Sequence, residues 1–370
     1  MRILLTIPSL KDKGGVTSFY KAILPQLRKS SHSFGILEIG SSHARLPFIY
    51  PLADQLRFIQ ALCLFKPQLV HLNPSLDLKS LIRDGLFLLS ARLAKVPTLV
   101  FFHGWKRNFE KYLLLFFYWF FRLTFHKAAL FIVLDQYFRD RLLAWQIHAP
   151  VLVGSTAFDK RLLDNFSLAK RLKGFVKGSA KIIFLGRLSS QKGVFLLLDA
   201  LQKINSKRIT LTIAGAGPAE KQLRLRIKKL GLGERVFLIG HVDLDQKRSL
   251  LQSHQIFCLP SLSEGMPVAL LEAMALGLPL VVTPACGLKY LFKKNKAGLL
   301  VPYPKPLLLA QALQQLAFNP RLCQKIAVFN YKYAQKNFCP QKIAHFLLQA
   351  YASIPKIICK GPKANNTLLV

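Results

Sequence analysis

The stretch SEGMPVALLEAMALGLPLVVT, Ser263 to Thr283, decides how the rest of the chain is read. Pro267 fits the first turn of a helix, where a missing N–H costs nothing. Apolar residues then run to Ala275, Gly277 ends the helix, and Leu280-Val281-Val282 reads as a buried strand. Glu264 therefore falls on the loop before a helix N-terminus, and Glu272 lies inside the helix. The free N–H groups of such a terminus form an anion site. No Lys or Arg occurs from Ser249 to Leu288, although the chain holds 53 of them. A partly buried carboxylate without a cation needs hydrogen-bond donors to stay ionised. Sugar and ribose hydroxyls are such donors.

The S-EGMP-LLEAM-GLP-VVT pattern resembles the E-x7-E signature of glycosyltransferase family 4, the retaining, nucleotide-sugar-dependent enzymes with the GT-B fold. Two carboxylates at that spacing are common by chance, and the residues around them carry the resemblance. It implies an α/β chain of two Rossmann-like, doubly wound domains facing an interdomain cleft, with the C-terminal helix crossing back to the first domain. Residues 1–165 would be the acceptor-side domain and 175–338 the nucleotide-sugar-binding domain. Residues 339–354 would form the returning helix, and 355–370 a flexible basic tail.

Length and composition agree with that frame. At 370 residues the chain accommodates two ordinary domains, and an apolar fraction of 52% excludes a disordered one. Net charge is +36, with 20 basic and 8 acidic residues in 1–150 against 33 and 9 in 151–370. The excess is spread along the chain. It reflects either lysine-rich solvated faces or attraction to a polyanion, such as nucleic acid or an anionic membrane surface. The six cysteines form no C-x-x-C pair and read as reduced, apolar fillers. The longest uncharged apolar stretch, Tyr112 to Phe121, is too short to span a bilayer, and no secretory signal is evident. The expected location is the cytoplasm, peripheral at the inner face of the cytoplasmic membrane.

Strand and helix patterns alternate throughout, as in parallel α/β sheets. Predicted strands are Arg2–Ile7, Phe34–Ile39, Gln68–Leu72, Thr98–Phe102, Leu130–Leu134 and Val151–Val153 in the first half. Lys181–Gly186, Thr210–Ala214, Val236–Gly240, Ile256–Leu259, Leu280–Thr283 and Gly298–Val301 follow in the second. The polar, Lys-rich stretch from Asp159 to Ser179 reads as the linker.

Four further motifs face the expected cleft. FLGRLSSQKGV places Gly186, Arg187 and Lys192 on the loop after a strand. By composition these are two surface cations among many; by position they match the family's R-x4-K pair, which stabilises the departing diphosphate. AGAGP, Ala214 to Pro218, resembles the family's G-x-G-P turn, where close packing is the expected role. Gly14 and Gly15 follow the first strand and are either an ordinary tight turn or a close backbone approach to the donor phosphates or acceptor. His103, in FFHGW, ends an apolar strand; family members carry a His there, near the reacting sugar. Aromatics crowd Trp105 to Phe125 among Lys and Arg, which suits either a core helix or one docked on a membrane.

The resemblance assigns Arg187, Lys192, Glu264 and His103 to the reacting centre. Gly14, Gly15, Gly186, Gly265, Met266, Pro267, Val268 and Glu272 would hold the donor. The implied reaction moves a hexose-type sugar from a UDP- or GDP-sugar to a saccharide or lipid-linked acceptor, in capsule, exopolysaccharide or lipopolysaccharide assembly. Glu264 would hold sugar hydroxyls and Glu272 the ribose diol. No cofactor is expected, and no metal, because cationic side chains occupy that role. Nucleic acid is not an expected partner. A phosphorylase or sugar-nucleotide epimerase on the same fold is the alternative, and a polyanion-binding protein a more distant one.

Overall fold

The computed structural model describes every residue except 13, 41–49, 263, 285–290, 293–295 and 361–370, with the backbone alone at 50, 51 and 360. Ser263, Cys286 and the tail from residue 361 onward lie outside the described residues. Two compact units result, one of Met1–Ala157 with the segment from Pro340 onward, the other of Phe158–Cys339.

In the first unit the strands are β1 (Arg2–Pro8), β2 (Ser33–Ile39), β3 (Leu69–Leu72), β4 (Ser75–Leu76), β5 (Thr98–Phe102), β6 (Gly104–Trp105), β7 (Leu130–Val133) and β8 (Val151–Val153). Six form a parallel sheet in the order β2-β1-β3-β5-β7-β8, and β4 pairs with β6 in a two-stranded ribbon. Every residue of β3, β5 and β7 is buried, because helices cover both sheet faces. Val70, Val100 and Phe131 face one helical layer, which includes Phe58, Phe87 and Phe121. His71 and Phe101 face the other, against Tyr20 and Phe19 of the Gly15–Leu27 helix and Tyr351 of the Pro340–Lys360 helix.

That last helix corrects the reading of the tail. Ile343, Leu347, Tyr351 and Ile354 are buried at helical spacing, and the helix runs on through Pro355 to Lys360. An interior proline costs about 3 kcal/mol of helix stability, which packing along this stripe offsets.

In the second unit β9 (Ala180–Leu185), β10 (Ile209–Ala214), β11 (Val236–Gly240), β12 (Ile256–Leu259), β13 (Leu280–Val282) and β14 (Gly298–Leu300) form a parallel sheet, ordered β11-β10-β9-β12-β13-β14. After β11 the chain crosses to the far side of β9, so the loops leaving β9 and β12 diverge. In open α/β sheets ligands bind at such a switch point, outside the carboxyl ends of the strands.

The stretch expected as a linker is a folded part of this unit. Lys160–Leu163 forms a 3-10 turn and Leu168–Lys173 a helix capped by Ser167. Arg171 is buried, and its guanidinium donates to the carbonyls of Leu276 (3.0 Å), His254 and Leu251. These carbonyls end the Val268–Ala275 and Leu244–Ser253 helices, where a cation complements the helix dipole. Burial lowers the Arg171 pKa to about 10, still charged at neutral pH. Arg171→Met is expected to destabilise the fold by about 3 kcal/mol, since the orphaned carbonyls remain buried. A urea melt that leaves the midpoint unchanged would remove Arg171 from this role.

Between Trp105 and Phe125 the sequence left a core helix and a membrane-docked one open, and the structure holds both buried and exposed side chains there. Leu113, Phe121 and Phe125 are fully buried, whereas Leu115, Phe116 and Trp119 are exposed. The cysteines divide similarly: Cys258 and Cys323 are apolar core residues, but Cys63 and Cys359 are exposed, which corrects their reading as fillers.

Candidate functional site

The switch point of the second unit gathers most of the donor-side residues singled out by sequence. β9 delivers Gly186 and Arg187, then a 3-10 turn over Ser190–Lys192. Gly193 follows at φ 71, and a Cβ there would lie 1.9 Å from the Pro260 carbonyl oxygen. Only glycine lets the β9 loop close on the end of β12. Gly215 and Gly217 do the same from the AGAGP turn, where added Cβ atoms would meet the Gly186 oxygen at 1.8 Å and the Leu188 oxygen at 2.3 Å. The Ala216 carbonyl accepts from the Leu188 N–H at 3.0 Å. The turn is therefore a buttress for the Gly186–Leu188 loop.

On this scaffold Lys192 Nζ pairs with Glu264 Oε1, which also accepts from Ser261 Oγ at 2.8 Å. Thr283 Oγ1 donates to the Ser261 carbonyl and ties the ends of β12 and β13 together. Arg187 is exposed and forms no ion pair among the described residues. Gly265 and Val268 are half-buried and Met266 is buried. Pro267 sits at the N-cap of the Val268–Ala275 helix, one position earlier than predicted, with ψ 121 and no side-chain cap. A proline at this position is preset in φ, and the N–H groups that follow it are left for a ligand. Glu272 is buried in the same helix, and its Oε1 accepts from Lys247 Nζ at 2.5 Å.

These two ion pairs correct the premise that the glutamates lack cations. Lys192 and Lys247 both precede the window without Lys or Arg, so their distance along the chain concealed them. Glu264 retains Ser261 as a donor, and the Lys192 ammonium has further N–H groups to offer an anion.

In the first unit His103, Asn73, Tyr20 and Thr6 form a chain of hydrogen bonds. Asn73 Nδ2 donates to the Thr6 carbonyl at 3.0 Å, which turns Asn73 Oδ1 toward Tyr20 OH (2.7 Å) and His103 Nε2 (2.9 Å). An amide oxygen only accepts, so the His103 Nε2 carries the proton and Nδ1 keeps a lone pair. Burial lowers the His103 pKa to about 3 and that of His71 likewise, so both rings are neutral at physiological pH. His103 can then accept a hydroxyl hydrogen, but it is not a counter-ion for phosphate.

Because both folded-state pKa values lie below the ordinary 6.5, the unfolded chain binds more protons between about pH 6.5 and 3. Stability of this unit is expected to fall as pH drops through that window, by up to about 2.7 kcal/mol per pH unit for two protons. His103→Gln should remove part of that slope in denaturant melts, and an unchanged slope would contradict the assignment.

Gly14 is the N-cap of the Gly15–Leu27 helix and has no side-chain cap. Its φ of 169 is ordinary extended backbone, and a Cβ on Gly14 or Gly15 would meet nothing within 4 Å. Neither glycine is required by the chain itself. The space beside them is open to whatever approaches this helix end.

Residues 167–333 match the family described as "Glycosyl transferases group 1". The matched segment is 167 of the 370 residues and lies within the second unit. A phosphatidyl-myo-inositol mannosyltransferase of Mycobacterium leprae is 32% identical over 167 residues, 44% of this chain and 44% of that protein. An amylovoran biosynthesis glycosyltransferase, AmsK of Erwinia amylovora, is 32% identical over 162 residues, 42% of this chain and 39% of that one. The chain thus spans between about a third and under half of the curated relatives it matches. Anabaena Alr3699/HepE, solved in complex with UDP-glucose, superposes with TM-score 0.74 at 19% identity, covering 95% of this chain and 100% of that one. At that identity the likeness is one of fold, GT-B.

Within the matched segment, Lys192, Glu264 and the Pro267 helix end converge at the switch point, whereas Glu272 lies a turn further along and pairs with Lys247. Two contributors escaped the sequence reading. Ser261 stands three residues before Glu264, a spacing that could have drawn attention to it. Lys247 lies on the preceding helix among many lysines, and nothing in sequence marks it. Among the described residues no group of three or more His, Cys, Asp or Glu is placed to hold a metal ion. No helix among them is long and apolar enough to cross a membrane.

Proposed function

We propose that the protein is a retaining glycosyltransferase that moves a hexose-type sugar from a UDP- or GDP-sugar to a saccharide or lipid-linked saccharide, in assembly of a bacterial-type surface polysaccharide. The observation that carries this reading is the Lys192–Glu264 pair beside an uncapped helix N-terminus, inside the segment matched by the family. Names of relatives in amylovoran and phosphatidyl-myo-inositol pathways support the class of acceptor.

On this reading the chemical problem is negative charge on a departing diphosphate and positive charge on the sugar. Lys192, Arg187 and the N–H groups around Gly265–Val268 stabilise the diphosphate by preorganised electrostatics. Glu264 holds sugar hydroxyls, Glu272 holds the ribose diol, and the neutral His103 accepts a hydroxyl of the reacting sugar. A retaining glycosidase uses one carboxylate as nucleophile and another as acid. Here Glu272 is committed to ribose, so the leaving phosphate oxygen deprotonates the acceptor on the same face, without a covalent glycosyl-enzyme. Cationic side chains replace a divalent ion in this scheme.

The test is to screen UDP, GDP and ADP for thermal stabilisation, then measure transfer from the matching labelled sugar nucleotide and the anomeric configuration of the product. A nucleotide at a hundred times its Kd stabilises by about 2.7 kcal/mol. Inverted product would exclude the retaining scheme, and cleavage that requires inorganic phosphate would favour a phosphorylase.

A further inference from the structure

We propose that one helical face of the first unit docks on an anionic bilayer, with Leu115, Phe116 and Trp119 entering the acyl boundary and the surrounding Lys and Arg side chains at the headgroups. The proposal stands on surface geometry and does not rest on the transfer reaction.

The face is built from the Tyr50–Phe65 and Leu78–Leu93 helices and the helical segment from Arg107 to Thr124. Their inner stripes, with Phe58, Phe87 and Phe121, fill one core. The outer side of such helices is ordinarily polar. Here it is apolar at helical spacing: Leu52 and Leu56 are 64% and 62% exposed, and Ile82 and Leu86 repeat the pattern on the next helix. On the third segment Leu115, Phe116 and Trp119 are 75%, 63% and 67% exposed. A π-turn over Leu113–Phe117 widens the helix there, so that Leu114, Leu115 and Phe116 all face outward in succession. Exposed apolar area of this extent marks an interaction surface.

The charges on the same elements have one sign. Asp54, Asp84 and Glu110, the acids within these three elements, are buried and pair with Arg57, Arg83 and Arg141. Lys79, Arg92, Arg107, Lys111 and Arg122 are exposed. A cavity of about 250 Å3 at the end of the face collects three cations, Arg92, Lys95 and Lys127.

This combination selects among occupants. A second copy packed symmetrically would set these cations against themselves. Nucleic acid could stack on Phe116 and Trp119, but Leu52, Leu56, Ile82, Leu86 and Leu115 around them offer its bases nothing to stack on. A bilayer with anionic headgroups accepts both the apolar and the cationic groups, and each basic side chain near such a surface raises partitioning about fivefold.

The experiment uses the full chain with vesicles of phosphatidylcholine, with and without phosphatidylglycerol. Of the three tryptophans, Trp105 and Trp145 are buried, so Trp119 dominates any change in exposed-indole emission. Sedimentation is expected to rise at least tenfold with phosphatidylglycerol, accompanied by a blue shift of emission that Trp119→Phe abolishes. Leu115→Glu with Trp119→Glu should lower binding at least tenfold while the thermal midpoint stays unchanged, since both side chains are exposed. Equal sedimentation on the two vesicle types, or wild-type binding by the double variant, would overturn the proposal. So would a lipid-free dimer dispersed by the same substitutions, which would give the face to a second copy.

Discussion

Lys192→Met is expected to lower kcat/KM for sugar transfer by about 10²- to 10³-fold, the typical loss when one preorganised donor to a developing negative charge is removed. The side chain is held in place: the αL Gly193 clamps its turn against Pro260, and Glu264 pairs with the ammonium. The substitution also leaves Glu264 with Ser261 alone, so part of any loss could come from a disturbed carboxylate. The double variant Lys192→Met with Glu264→Gln separates the two effects. It removes the unpaired charge and should recover thermal stability, while transfer stays low. Recovery of transfer along with stability would reduce the pair to a structural ion pair. Arg at position 192 is expected to restore only part of the rate, because a planar guanidinium cannot reproduce the compact ammonium geometry.

Glu272→Gln is expected to weaken nucleotide binding by about 10- to 100-fold, as suits a charged hydrogen bond worth roughly 1.5–3 kcal/mol. Glu272 is buried, its partner Lys247 is half-buried, and a lone charge in that position is costly. The fold is therefore expected to lose about 3 kcal/mol as well. Calorimetric titration with UDP or GDP measures the first effect and a urea melt the second. Adding Lys247→Met should restore stability without restoring affinity. Affinity that returned with stability would mean that Glu272 serves the fold and not the ribose.

Much of the architecture was already legible along the chain. Thr98–Phe102 and Ile256–Leu259 coincide with predicted strands, because a strand buried on both faces must be a continuous apolar run. Glu264 on its loop and Glu272 within its helix followed from Pro267, Gly277 and the apolar run between them. The sites of Arg187 and Lys192 followed from their position after a strand end. These readings depend on local conformation and periodicity, which neighbouring residues dictate.

Other features depended on which distant segments meet. Lys247, on the Leu244–Ser253 helix, reaches Glu272 on the Val268–Ala275 helix across 25 residues, while its neighbour Arg248 pairs with Asp164 and Asp245 instead. Arg171, in a stretch that composition marks as a linker, is buried because three carbonyls at two helix ends require a donor. Asn73 sets the His103 tautomer across 30 residues, through an amide whose orientation only Thr6 decides. The outward leucines and Trp119 carry the same apolar side chains as the core, and only the sheet beneath them determines which stripe is inside. Sequence by itself determined the twelve strands of the two six-stranded sheets and the residue types at the second unit's switch point, since these follow from local chemistry. Tertiary structure decided which charges pair, which tautomer forms and which apolar face stays open, since each depends on contacts between segments far apart in the chain.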